Sequence, residues 1–289
     1  MTLLPDFQTD VADVNGQQIF YARGGSGPPV MLLHGFPQTH AMWHAVAPAL
    51  AQRFTVIAPD LRGYGASSKP QDTAQYSFRE MGTDQLALMT HLGFDTFHLV
   101  GHDRGGRTAH RMALDAPARI DTLTVMDIIP THLLLSDLRQ DVARAYYHWF
   151  FLAQPTPFPE TLIGHDPDTY FEASLMAWGS TPLSDFDPLA LAAYRAAWRT
   201  PEAIRGMCND YRAALDIDFD LDAADLHRTI DCPSLVMWGT DGAMGKMYEV
   251  ADTWADRLSN MRSTPLPGGH FFVDQYPTQT ATALLDFLP

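Results

Sequence analysis

The sequence predicts an α/β protein: a mostly parallel sheet with helices on both faces and a helical insertion after the sixth strand. Two observations carry this. Short apolar runs, VMLLHG, TVIAPD, FHLVGH and TLTVMDI, alternate with helical stretches, which is the pattern of parallel strands buried on both faces. From Thr131 to Cys232 no such run occurs, and the composition is helical and rich in aromatics, as in AYYHWFF, YFEASLMAW and LAAYRAAW. The sequence therefore divides into a core domain of residues 1–130 and 233–289, interrupted by a helical cap at 131–232.

Taken in order, DVADVNGQQIFYAR at 10–23 reads as two alternating runs joined by Asn15-Gly16, a dipeptide that accepts the positive φ angles of a tight hairpin. The loop GGSGPP follows, then the four apolar runs. After the insertion the pattern resumes with SLVMWG at 234–239, a helix around 246–258, a strand near 261–266 and a closing helix from about Thr278. No repeat or low-complexity segment interrupts it. In open parallel sheets the ligand sits beyond the carboxyl ends of the strands, so the residues after each run hold the chemistry, and an insertion leaving that edge would roof them.

Composition removes several function classes. Nineteen basic against 34 acidic side chains give a net charge of −15, which excludes nucleic-acid binding through phosphate neutralisation. No apolar run approaches the ~18–20 residues of a spanning helix. The start MTLLPDFQTD lacks the basic and apolar regions of a signal peptide, which predicts a cytoplasmic protein. Two cysteines, Cys208 and Cys232, make no disulfide framework. Apolar residues, at 46%, can fill a core of this size, and the low charged fraction of 18% fits extensive burial, including a homodimer interface.

The run FHLVGHDRGGR places Asp103 in a G-x-Nuc-x-G turn between a strand and a helix, where Gly101 and Gly105 permit a sharp turn and the helix amides point at the middle residue. A carboxylate there can displace a leaving group from carbon and form an ester. The competing reading is an N-cap aspartate in a glycine-rich turn. Three further features weigh for chemistry. His34-Gly35-Phe36-Pro37 follows the third strand, so the Phe36 and Arg104 N–H groups can form an oxyanion hole. Of twelve histidines only His270 lies in a glycine-rich loop beyond the last strand, positioned to act as general base. Asp127 and Asp241 each follow a strand, and either could orient His270.

Arg104 and Arg107, three apart at the start of the helix, oppose its dipole, and a bound carboxylate would favour them there. Ion pairing with surface acids is the alternative. His148, Trp149 and Tyr211 read by pattern as core aromatics of the insertion, although each carries an N–H or O–H donor, and Tyr194, Tyr146 and Tyr147 compete with Tyr211. His40 and His44 are four apart but lack a third ligand, so no metal is assigned.

The motifs HGFPQTHAMW, APDLRGYGASSKP, GHDRGGR, MDIIPT and GGHFF, in order from His34 to His270, resemble the haloacetate dehalogenases of the α/β-hydrolase superfamily, fluoroacetate dehalogenases included. The resemblance implies the α/β-hydrolase fold and a triad of nucleophile Asp103, acid Asp127 in preference to Asp241, and base His270. It implies that Arg104 and Arg107 hold the substrate carboxylate and that His148, Trp149 and Tyr211 form a halide pocket. The substrate would be a small anionic 2-halocarboxylate, with no cofactor. An epoxide hydrolase would share the aspartate, using Tyr147 and Tyr211 to protonate the epoxide, but Arg104 and Arg107 would then lack a purpose. Epoxide hydrolases and haloalkane dehalogenases also typically carry tryptophan after the nucleophile. A catalytically silent binding protein on the same fold is the remaining alternative.

Overall fold

The computed structural model describes residues 3–177 and 181–289; Trp178, the last residue of the run YFEASLMAW, and the first two residues of the chain lie outside the described part. Strands β1 (Gln8–Val14) and β2 (Gln17–Gly24) form the antiparallel opening, turning through Asn15 and Gly16 at φ 50° and 72°. The strands β3 (Pro29–Leu33), β4 (Thr55–Pro59), β5 (Phe97–His102), β6 (Ile120–Met126), β7 (Ser234–Gly239) and β8 (Met261–Leu266) follow. They complete an eight-stranded sheet in the order β1-β2-β4-β3-β5-β6-β7-β8, antiparallel only at β1, β2 and β4.

Every residue of β4 and β5 is buried, which is why these strands read as continuous apolar runs, whereas β8, MRSTPL, is an edge strand that is largely exposed. Parallel register aligns the carboxyl ends: Leu33 pairs with Gly101, His102 with Met126, and Met126 with Met237. The turns that follow therefore meet at one edge, bringing Phe36, Asp103 and Asp127 together from distant parts of the chain.

The helix Arg104–Asp115 packs on β5, β6 and the helix Phe78–His91, whose first turn is capped by Ser77 accepting from the Glu80 N–H at 3.2 Å. Between β6 and β7 every described helix or strand is helical. Asp187 caps Pro188–Trp198 and Thr200 caps Pro201–Ala213, each with proline at the first position. One expected element differs. In place of a helix over 246–258 the chain forms only Ala243–Met247 and a short 3-10 turn, Asp252–Trp254. Tertiary contacts override local propensity here: Tyr248 is extended beneath the Arg139 guanidinium, and the buried Trp254 indole donates to the Ile128 carbonyl at 3.0 Å.

Candidate active site

Asp103 caps β5 at φ 48° and ψ −116°, a conformation costly for a residue with a Cβ. The strain therefore sits on the aspartate itself, and the neighbouring glycines supply room instead of positive φ. A Cβ on Gly101 would lie 2.3 Å from the Gly105 carbonyl oxygen, one on Gly105 would lie 2.4 Å from that of His34, and one on Gly35 would lie 2.5 Å from the Asp103 Cβ. Three backbone segments thus converge on the turn. The Asp103 side chain makes no capping hydrogen bond to its own helix; Oδ2 instead accepts from the Phe36 N–H at 3.0 Å. Arg104, whose N–H is the second expected oxyanion donor, begins the helix, in the turn whose amides lack intrahelical acceptors. His34 anchors the loop carrying Phe36. Burial pushes its pKa down to about 4, so the neutral ring donates to the Gly35 carbonyl and accepts from the Leu61 N–H at 2.9 Å.

His270 reaches this turn from the loop after β8. Its Nδ1 donates to Asp127 Oδ2 at 2.6 Å, and its Nε2 lies 4.0 Å from Asp103 Oδ1. Asp127 is also held at positive φ, 50°, and its second oxygen accepts from the Gly239 N–H at 3.0 Å. Asp241, the other acid that spacing allowed, instead accepts from the Gly268 N–H at 3.1 Å and so braces the loop ahead of His270. His102 Nε2 donates to the His270 carbonyl at 2.8 Å. Burial disfavours the His270 cation, yet the Asp127 hydrogen bond and the charges of Asp127 and Asp103 outweigh it and raise its pKa. Burial likewise pushes the Asp103 carboxyl up, but His270, Arg104, His102 and Arg107 outweigh it and hold the group below the usual carboxylate range. A lowered carboxylate stays ionised, as a nucleophile must.

The two arginines differ in a way their spacing did not reveal. Arg104 is fully buried and bound to a carboxylate, that of Asp210: Nε donates to Oδ2 at 2.9 Å, Nη2 donates to Oδ1, and Nη2 also reaches the Asp210 carbonyl at 3.0 Å. Its partner is a buried acid, not a surface one, and among the described residues only Nη1 is left without a hydrogen bond. Arg107 donates through Nη1 to the Ile129 carbonyl at 3.0 Å and to Thr131 Oγ1 at 3.1 Å, while its Nε has no hydrogen-bond partner among the described residues. Burial lowers its pKa to about 10, which still leaves it charged.

Helices of the insertion close the site with rings. The Arg104 guanidinium lies 4.3 Å from the Tyr211 ring and 4.8 Å from that of Trp149, and the Arg107 guanidinium is also 4.8 Å from Trp149. Tyr211 meets Phe36, His148 and Trp149 at 5.2, 5.6 and 5.3 Å between centroids. Its hydroxyl is buried without a hydrogen-bond partner among the described residues, and burial keeps the His148 ring neutral. Of the competing tyrosines, Tyr194 bonds Gln38 and Asp274 and Tyr147 is 50% exposed, while Tyr146 packs against His148, its ring centroid 5.7 Å away, and its hydroxyl feels the charges of Asp127, Arg107 and Asp103. His40 pairs with Asp60 at 2.8 Å and His44 bonds the Ala41 carbonyl, so the two are separately engaged.

Sequence reasoning missed Asp210, Tyr64, which donates to Asp210 Oδ2 at 2.6 Å, and the Gln38–Asp274 pair at 2.9 Å. The only signals were an acid beside Tyr211 in CNDYR and an acid four residues after His270. Neither spacing identifies a partner distant in the chain.

A family model of the alpha/beta hydrolase fold matches residues 28–277. The chain is 54% identical to a fluoroacetate dehalogenase of Burkholderia sp over 98% of this chain and 94% of the relative. It is 33% identical to a soluble epoxide hydrolase of Corynebacterium sp., covering 96% of each. The crystal structure of ALR0039, assigned to the α/β hydrolases of Nostoc sp PCC 7120, superposes with a TM-score of 0.96 at 46% identity, covering 98% of both chains.

Proposed function

The chain belongs to the α/β-hydrolase fold family and, within it, to the haloacetate dehalogenases, and from that premise we propose that it hydrolyses haloacetates to glycolate and halide through an ester on Asp103. One observation carries the proposal: an ionised aspartate at the elbow, 4.0 Å from the histidine that Asp127 orients, with a buried Arg107 that has no carboxylate partner among the described residues. A serine hydrolase needs no aspartate there, and a neutral substrate needs no such arginine.

In the first step Asp103 attacks the α-carbon in line. The carbon–halogen pair leaves with the halide, whose charge is met by donors on His148, Trp149 and Tyr211. The substrate carboxylate stays on Arg107 and on the remaining Nη1 edge of Arg104. In the second step His270 takes a proton from water, and the hydroxide adds to the Asp103 carbonyl. The resulting oxyanion rests on the Phe36 and Arg104 amides; its collapse expels the alkoxide, which takes the proton back from His270 to leave as glycolate, and the Asp103 carboxyl then releases its own proton to solvent. The reaction consumes one water and needs no cofactor.

Epoxide hydrolysis is the second reading, favoured by the 33% relative. Tyr147 is exposed, whereas its neighbour Tyr146 packs on His148 and interacts with Asp103 and Arg107; what weighs against this reading is the buried Arg107, which a neutral epoxide leaves without a purpose. Parallel assays of fluoroacetate, chloroacetate and an epoxide decide the matter. Halide release from a haloacetate with no epoxide turnover is expected; diol formation without halide release would replace the proposal. Turnover of any of the three disposes of a silent binding protein.

A further inference from the structure

We propose that Asp210 sets the charge selectivity of this site: by binding Arg104 it leaves Arg107 as the one guanidinium of the pair without a carboxylate partner, so the site admits a single carboxylate and rejects a second. The inference deepens the haloacetate reading and rests on it for the location of the substrate.

Two buried guanidiniums so close together would by themselves suit a dianion. Asp210 changes that. It is fully buried, takes both Nε and Nη2 of Arg104, and is held in turn by the Tyr64 hydroxyl. Its placement fits charge compensation, since an unpaired buried guanidinium is costly and its removal or pairing is strongly felt. Arg107, by contrast, donates hydrogen bonds among the described residues only to neutral oxygens, those of Ile129 and Thr131, and the anion that acts on it is the nucleophile Asp103 itself. The anions around the elbow are then Asp103, Asp127 and Asp210, against Arg104 and Arg107, with His148 kept neutral by burial. One incoming carboxylate can settle on Arg107. A second would lose its hydration and meet three carboxylates with no uncompensated cation to receive it, which is exclusion by repulsion and not by size. The predicted substrate class is small 2-halo monocarboxylates, with 2-halo dicarboxylates excluded.

The test is titration calorimetry of wild type and Asp210→Asn with glycolate and with oxalate, anions of nearly equal size that differ by one charge. Wild type is expected to bind glycolate about a hundredfold more tightly than oxalate, and Asp210→Asn to narrow that ratio by about tenfold, each factor of ten corresponding to one step on the affinity scale. Equal binding of both anions by wild type overturns the proposal, as does binding of neither, or a folded Asp210→Asn with an unchanged ratio. Should Asp210→Asn fail to fold, Asp210→Ser takes its place in the same titrations, with a narrowed ratio expected and an unchanged ratio overturning the proposal. Chloroacetate turnover by the same wild-type preparation separates the two claims. Charge selection without halide release overturns the catalytic reading only, and halide release without charge selection overturns the role of Asp210 only.

Discussion

Asp127 and His270 share a 2.6 Å hydrogen bond that ties the end of β6 to the loop after β8 and leaves Nε2 facing Asp103. The bond fixes the tautomer and raises the His270 pKa, and a base works only when unprotonated. Activity should therefore fall as pH drops through a value above the ordinary 6.5 for histidine. Asp127→Asn should move that acid limb downward while lowering turnover by roughly 10²–10⁴-fold, the range for general base catalysis. A pH–rate profile with an unmoved limb would detach Asp127 from His270 function.

The ester on Asp103 predicts where solvent oxygen goes. In a single turnover in ¹⁸O-water, label should enter the Asp103 carboxyl before it appears in glycolate. His270→Asn should stop after the first step, leaving an enzyme heavier by a carboxymethyl group in mass spectrometry. Label in the first glycolate released would exclude the intermediate.

Arg107 is the guanidinium whose Nη2 and Nε are not committed to a carboxylate. Arg107→Lys keeps the charge but loses the planar fork, and the loss of a charge-assisted hydrogen bond, about 1.5–3 kcal/mol, should lower kcat/KM by roughly ten- to hundredfold, mainly through KM. A variant that prefers neutral haloalkanes to haloacetates no more than wild type does, with KM unchanged, would remove the carboxylate contact from Arg107.

Tyr211 and Trp149 enclose the space above Arg104. Tyr211→Phe and Trp149→Phe keep aromatic bulk and delete a donor. Fluoride, the poorer leaving group and stronger acceptor, should suffer more than bromide, by up to the few kcal/mol of a lost transition-state donor. First-step rates on fluoroacetate and bromoacetate check this, and equal losses would return both residues to packing.

Asp274 offers a stability prediction. Burial raises its pKa from 3.8 to about 7, against the hydrogen bonds from Gln38 and Tyr194. The folded state thus holds a proton that the unfolded chain releases, so this contribution to stability is present below pH 3.8 and is lost as pH rises through about 7. Asp274→Asn, which cannot ionise, should gain Tm relative to wild type as pH goes from 4 to 7. A constant Tm difference across that range would show that Asp274 is ionised throughout.

The sheet, the hairpin at Asn15-Gly16, the helical segment between β6 and β7, and the turn that holds Asp103 are all legible in the residues before any fold is known. These features are local: apolar periodicity, glycine where backbones touch, and the position of a residue just past a strand. His270 is legible as well, because a histidine in a glycine-rich loop after the last strand has few structural reasons to be there. Spacing left Asp127 and Asp241 open because both follow strands, and only the family resemblance preferred Asp127; the register of β6 with β7 then puts Asp127, and not Asp241, against the His270 ring. Tertiary structure alone separated Arg104 from Arg107. Two residues three apart on one helix look equivalent in sequence, and what distinguishes them is Asp210, brought by the helix Pro201–Ala213 into a buried ion pair. Side-chain pairing over such separations depends on how helices pack, which no short-range pattern encodes.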